Sequence, residues 1–124
     1  MEKRYALPKA ERLRSLGAVR RLFGEGTGGF VYPLRYIVIT EQSTQPSVEV
    51  LFSVPKRYHK RANKRNLLRR RMKEAYRLNK DLLAAETRGV AVDIAIIYSS
   101  KELLPYKSVN NAISRILREI AAHN

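Results

Sequence analysis

Between Lys56 and Lys80 the chain reads KRYHKRANKRNLLRRRMKEAYRLNK, twelve lysines and arginines against a single acid, Glu74. A stretch so charged repels itself and gains little from compaction, so it must lie at a surface. Something apolar has to hold it there. At about 100° per residue, Leu68, Met72, Ala75 and Tyr76 fall on one stripe of the width that a core-facing helix needs. Burying each large member contributes roughly 1.5–3 kcal/mol, enough to anchor a surface helix against its own charge. The same wheel gathers Asn66, Arg69, Arg70, Lys73 and Arg77 on a second arc pointing away from the stripe, with Arg71 and Glu74 flanking it. The spacing thus predicts a helix with one buried side and one cationic side, its side chains about 1.5 Å apart per residue along the axis. Guanidinium groups in such a row suit bidentate bonds to phosphates.

The anion such a row would meet is narrowed by the rest of the chain. With 124 residues the protein is expected to be a single domain, residues 1–124, with one core. A formal charge of +14 exceeds what solubility needs and favours nucleic acid over a small acid or an ordinary protein partner. A merely solvated helix face normally mixes charge signs, and this one does not. No apolar run approaches the roughly 20 residues that span a bilayer, and the basic segment has few large apolar residues for interfacial burial, so no membrane partner is expected. Absence of cysteine removes disulfides and thiolate metal sites and fits a cytoplasmic location. Residues 1–23 are Arg-rich, as a transit peptide would be, but they carry Glu2 and Glu11 and read as part of the domain.

Elsewhere, Leu13, Leu16, Val19, Leu22 and Phe23 recur at helical spacing within Pro8–Phe23, a short helix that Gly24 is expected to end. The GEGTGG run after it has the G-x-G-x-x-G spacing of a dinucleotide turn, but it leaves a helix and precedes strands, so it reads as a flexible loop. Two strands are predicted at Leu34–Thr40 and Val48–Val54, paired antiparallel through EQSTQPS, and a third at Val90–Tyr98. The third is almost continuously apolar, which places it near the middle of the sheet. A last helix over Pro105–Ala121 aligns Val109, Ile113, Ile116, Leu117 and Ile120. Helix, strands, helix, strand, helix describes an α+β, two-layer sandwich with one small mixed sheet and three helices. Before the basic helix, Lys56, Arg57, Lys60, Arg61, Lys64 and Arg65 add a cationic lead-in, with Asn63 as the expected N-cap.

Catalytic chemistry is hard to assemble from these residues. His59 and His123 have no carboxylate nearby in sequence, and His59 reads as a phosphate-contacting or exposed side chain rather than a base. The acids are scattered without metal-ligand spacing, and Asp93, inside the third strand, reads as an edge-facing or hydrogen-bonded carboxylate. No catalytic residue and no metal ligand is assigned to the chain.

SVPKR, a basic loop, and then RNLLRRRMKEAYR together resemble the signature of the bacterial ribonuclease P protein component, R-N-x-x-K-R-x-x-R-E on a central helix. Arg65, Asn66, Arg70 and Glu74 match it, Arg69 stands for a Lys and Lys73 for an Arg. Charge survives both exchanges, although Lys73 loses the forked geometry. The resemblance extends through ERLR and GAVRRLF, PLRYIVI, VEVLFSV and DIAIIY to the C-terminal helix. It implies a left-handed β-α-β crossover, against the general handedness rule. It also implies a protein cofactor of a catalytic RNA that removes the 5′ leader of precursor tRNA, with Mg²⁺ bound mainly by the RNA. The partners implied are ribonuclease P RNA and precursor tRNA, with no obligate protein partner. RNA contact is thereby expected at Lys56, Arg57, Lys60, Arg61, Lys64, Arg65, Asn66, Arg69, Arg70, Lys73 and Arg77. A leader cleft between the first helix and the sheet would take Val19 and Phe23; the family often has an aromatic where Val19 stands. Tyr36 is a wall of that cleft or a core tyrosine. A ribosomal-type RNA-binding protein is the competing reading, and a DNA-binding domain, without helix-turn-helix spacing or zinc ligands, comes third.

Overall fold

In the computed structural model, which describes residues 15–122, the chain runs α1 (Leu16–Glu25), β1 (Thr27–Val31), β2 (Leu34–Gln42), β3 (Ser47–Ser53), α2 (Ala62–Asn79), a 3-10 turn (Lys80–Leu83), α3 (Ala85–Arg88), β4 (Val90–Tyr98) and α4 (Tyr106–Ala122). The strands form one mixed sheet in the order β1-β2-β4-β3. This is the α+β arrangement expected, with three long helices and two short turns between α2 and β4.

Central placement of β4 follows from its composition. Val92, Ile94, Ile96 and Tyr98 are fully buried on one side, and Ala95 on the other. The expected antiparallel pairing of Leu34–Thr40 with Val48–Val54, which are β2 and β3, does not occur. β4 lies between them, antiparallel to β2 with Ile37 opposite Ala95, and parallel to β3 with Leu51 opposite that same Ala95. A strand apolar on nearly every residue gains more from two neighbours than β2 and β3 gain from each other. The basic helix α2 lies in the connection between the parallel pair.

The GEGTGG segment differs from its expected form too. Pro8–Arg14 lies outside the described residues, and α1 starts with Ser15 Oγ accepting a bond from the Ala18 amide at 3.4 Å. It runs through Gly24 to Glu25, and Gly26 ends it by donating its N–H to the Leu22 carbonyl at 2.9 Å. Thr27–Val31 then pairs antiparallel with β2 as an edge strand, not a flexible loop. Its glycines fit that pairing: a Cβ on Gly29 would collide with the Tyr36 ring. Tertiary pairing overrides the weak strand propensity of TGG.

Strand alternation sends the two sets of side chains to unlike environments. On one face Leu34, Tyr36, Val50, Phe52, Val92, Ile94, Ile96 and Tyr98 pack with Leu68, Met72 and Tyr76 of α2 and Val109, Ile113, Ile116, Leu117 and Ile120 of α4. On the other, α1 sets Leu22 on Ala95, with Ala18, Val19, Ile37, Ile39 and Leu51 partly covered around them. The main core is therefore a two-layer sandwich of sheet and α2–α4. Helix α1 covers part of the remaining face.

Candidate nucleic-acid interface

The basic helix divides as its wheel predicts. Its buried residues are Leu68, Met72, Ala75 and Tyr76, and its lower end is tied to α4 where Asn79 Nδ2 donates to the Asn110 side-chain oxygen at 2.8 Å. Arg71, flanking the stripe, donates to the Leu104 carbonyl and so belongs to the scaffold. On the outer side Asn66 and Arg70 are exposed, and Arg69, Lys73 and Arg77 are half-buried. Arg69 donates to the Asn66 side-chain oxygen at 2.7 Å, which orients both groups along the arc. Arg77 instead forks onto Glu74, at 2.7 and 3.2 Å, so part of its charge is already balanced.

The lead-in loop is fixed by two residues that sequence alone assigned differently. His59 was expected to be exposed or to touch phosphate; it is 7 % exposed, its Nε2 2.8 Å from the Ser100 carbonyl oxygen and its ring edge-on to Tyr98. The reason is a partner far away in sequence, at the end of β4. Arg65 turns back to donate to the carbonyls of His59 and Lys60, at 3.1 and 2.7 Å, so its guanidinium shapes the loop at the head of the arc. Asn63 does not cap the helix: Arg61 is the N-cap, without a side-chain bond, and Asn63 Oδ1 accepts from the adjacent Lys64 amide at 2.9 Å. Lys56, Arg57, Lys60, Arg61 and Lys64 are all exposed around this loop, and the Arg57 guanidinium sits 5.0 Å from the centre of the Tyr58 ring. Loop, helix start and arc form one continuous cationic surface on a rigid base.

The face under α1 has a different character. Phe23 is half-exposed, at 49 %, and Val19 turns toward the sheet among Ile37, Ile39 and Leu51. Tyr36 does not join them. Strand parity puts it on the α4 side, 7 % exposed, where its hydroxyl donates to Glu119 at 3.0 Å; burial first, and that bond second, raise its phenol above the ordinary value. Of the two roles open to it, Tyr36 takes that of a core tyrosine. Arg21 ties α1 to β2 through an ion pair with Glu41. Across the sheet Glu49 stands opposite Asp93. Burial raises both carboxyls above the usual range; the charge of Asp93 adds to the rise at Glu49, and Arg21 opposes it at Asp93.

Among the described residues no group of three or more His, Asp or Glu side chains could hold a metal ion, and two carboxylates that favour their protons make a poor Mg²⁺ site. No helix among them is long and apolar enough to cross a membrane.

Known proteins resemble this chain over most of its length. The family model described as Ribonuclease P matches residues 7–121. A Porphyromonas gingivalis protein named ribonuclease P protein component is 36 % identical over 122 residues, covering 96 % of this chain and 89 % of the relative. The protein of that name from Chlorobaculum tepidum is 44 % identical over 94 residues, covering 71 % of this chain and 58 % of its own. Among solved structures, the Staphylococcus aureus RNase P protein superposes with a TM-score of 0.72 at 18 % identity, covering 94 % of this chain and 100 % of that one. The Thermotoga maritima RNase P protein gives 0.71 at 20 % identity, covering 88 % and 96 %.

Proposed function

The chain belongs to the ribonuclease P protein component family, and on that premise we propose that it docks on ribonuclease P RNA through α2 and its lead-in loop and assists removal of the 5′ leader from precursor tRNA in the cytoplasm. The observation that carries this reading is the outward cationic side of α2, anchored by Leu68, Met72, Ala75 and Tyr76 on the opposite side. Cations held on a rigid helix can neutralise phosphates without first losing the freedom of a flexible tail. Asn66, Arg69, Arg70 and Lys73 would track the backbone of the folded RNA, and Lys56, Arg57, Lys60, Arg61 and Lys64 would widen the contact. Arg65 acts mainly by shaping the loop, and Arg77 contributes less because Glu74 already holds it.

Under the same proposal the single-stranded leader passes along α1, against Phe23 and Val19. The protein supplies no reaction centre. Phosphodiester hydrolysis and its Mg²⁺ belong to the RNA, and the chain raises the productive fraction of complexes by holding substrate and ribozyme together. The test is reconstitution: protein, a bacterial ribonuclease P RNA and precursor tRNA at low Mg²⁺, with leader release followed in time. Faster cleavage is expected, and a rate unchanged by the protein rejects the proposal. Arg69→Ala and Arg70→Ala should each weaken RNA binding and reduce the slope of log affinity against log salt by about one unit.

A further inference from the structure

Phe30 and Tyr32 form an exposed aromatic pair at the β1–β2 turn, 54 % and 53 % accessible, with ring centres 6.4 Å apart at 71°. Neither ring is needed to close the core. Tyr32 is nonetheless held firmly: its hydroxyl donates to Glu102 Oε1 at 2.9 Å, which leaves it to accept from Ser100 Oγ at 3.2 Å. The carbonyl of that same Ser100 holds His59, so one residue ties the aromatic pair to the basic loop that leads into α2. Opposite Phe30 across the strands stands Arg35, exposed on the same face. Beyond Ser100, Lys101 is exposed too, and the Glu102 carboxylate is turned onto the Tyr32 hydroxyl.

From this arrangement we infer that Phe30, backed by Tyr32 and flanked by Arg35, is a stacking platform for one unpaired nucleotide of the same RNA on which α2 docks. The inference rests on the docking proposal and adds a second, non-phosphate contact to it. An aromatic face accepts any base, and an adjacent guanidinium can hold the phosphate that follows. Because Tyr32 is fixed before the ligand arrives, little side-chain entropy is lost on binding. The catalytic RNA is favoured over the leader as the source of that nucleotide. The platform is wired through Ser100 to the docking loop, whereas Val19 packs over Ile37, Ile39 and Leu51.

The chain contains no tryptophan, so Phe30→Trp places a single tryptophan on the platform, excited selectively at wavelengths that tyrosine does not absorb. Its emission should be quenched on titration with ribonuclease P RNA alone. Phe30→Ala and Phe30→Leu should each weaken binding of that RNA by about tenfold with the salt slope unchanged, since a base contact releases no counterions. Both should melt as the parent does, because Phe30 lies outside the core. Full affinity in Phe30→Leu would overturn stacking in favour of plain apolar contact. A loss confined to leader-bearing precursor tRNA would overturn the choice of occupant. Affinity of Phe30→Ala within twofold of the parent, while Arg70→Ala still weakens binding, would overturn the platform and leave the docking proposal standing. The converse, a loss in Phe30→Ala with Arg70→Ala unchanged in affinity and slope, would uphold the platform and sink the docking arc.

Discussion

On one face of the sheet, Val92, Ile94, Ile96 and Tyr98 of β4 meet α2 and α4 with no exposure; on the other, Ala91, Asp93 and Ile97 of the same strand stay half-buried and only Ala95 is sealed. The first face is packed mainly with apolar side chains, and the tyrosine hydroxyls of Tyr36 and Tyr98 at it are bonded to Glu119 and to the Glu102 carbonyl. The second carries Glu49, Asp93, Arg21 and Glu41 beside a modest apolar contact. A small domain has one core to build, and here a single face holds nearly all of it. The other is left free to tolerate charge and open surface.

This contrast can be broken deliberately. The largest effect should come from Ile116→Ala, which empties a fully buried site of the α4 face and is expected to cost about 2–5 kcal/mol. Urea unfolding checks it, and a loss below about 1 kcal/mol would mean the α4 face is not the main core. Next come adjacent glycines that point to opposite faces. Gly29→Ala drives a methyl group into the Tyr36 ring and should cost roughly 1–3 kcal/mol. Gly28→Ala, whose new atom would lie 3.7 Å from the Tyr36 carbonyl oxygen, should stay within about 1 kcal/mol of the parent. Equal losses at both would erase the distinction between the faces.

A smaller effect is expected from Val19→Phe on the α1 side: binding of leader-bearing over leaderless tRNA should improve a few-fold, as judged by competition, with stability little changed. No improvement would count against α1 as the leader wall. The smallest is a pH effect. Asp93 and Glu49 hold protons more tightly when folded, so their contribution is fully present below the ordinary carboxylate range and is lost as pH rises through their raised values. Asp93→Asn should therefore be more stable than the parent at pH 7, with the gap closing under acid. Thermal melts across that range decide it; a variant less stable at pH 7 would show that the attraction of Arg21 outweighs burial.

Periodicity carried the sequence reading where structure is local. The stripe Leu68, Met72, Ala75, Tyr76 and the face Val109 to Ile120 are buried as their spacing requires, and β4 is central as its apolar run implies. Contacts distant in sequence were not legible. His59 is fixed by a carbonyl 41 residues later, and β2 and β3 are separated by a strand that follows both. Strand parity could group Tyr36 with Leu34, but nothing in the sequence says which face α1 covers. The strand at TGG exists because β2 offers it an edge, and residue preference alone reads it as loop. Phe30 and Tyr32 belong to that strand and its turn, and the aromatics beside glycines and a proline are the hint the sequence offers there.

The middle place of β4 also sets an order of events during synthesis. Residues of α2 leave the ribosome before Val90–Tyr98, yet the stripe beneath them packs in a core that includes β4 and α4. Until that strand emerges, β2 and β3 lack the neighbour they share, and the nascent chain is a loose polycation among cellular RNAs that bind any such segment nonspecifically. The string of charges becomes a shaped surface only when β4 closes the sheet.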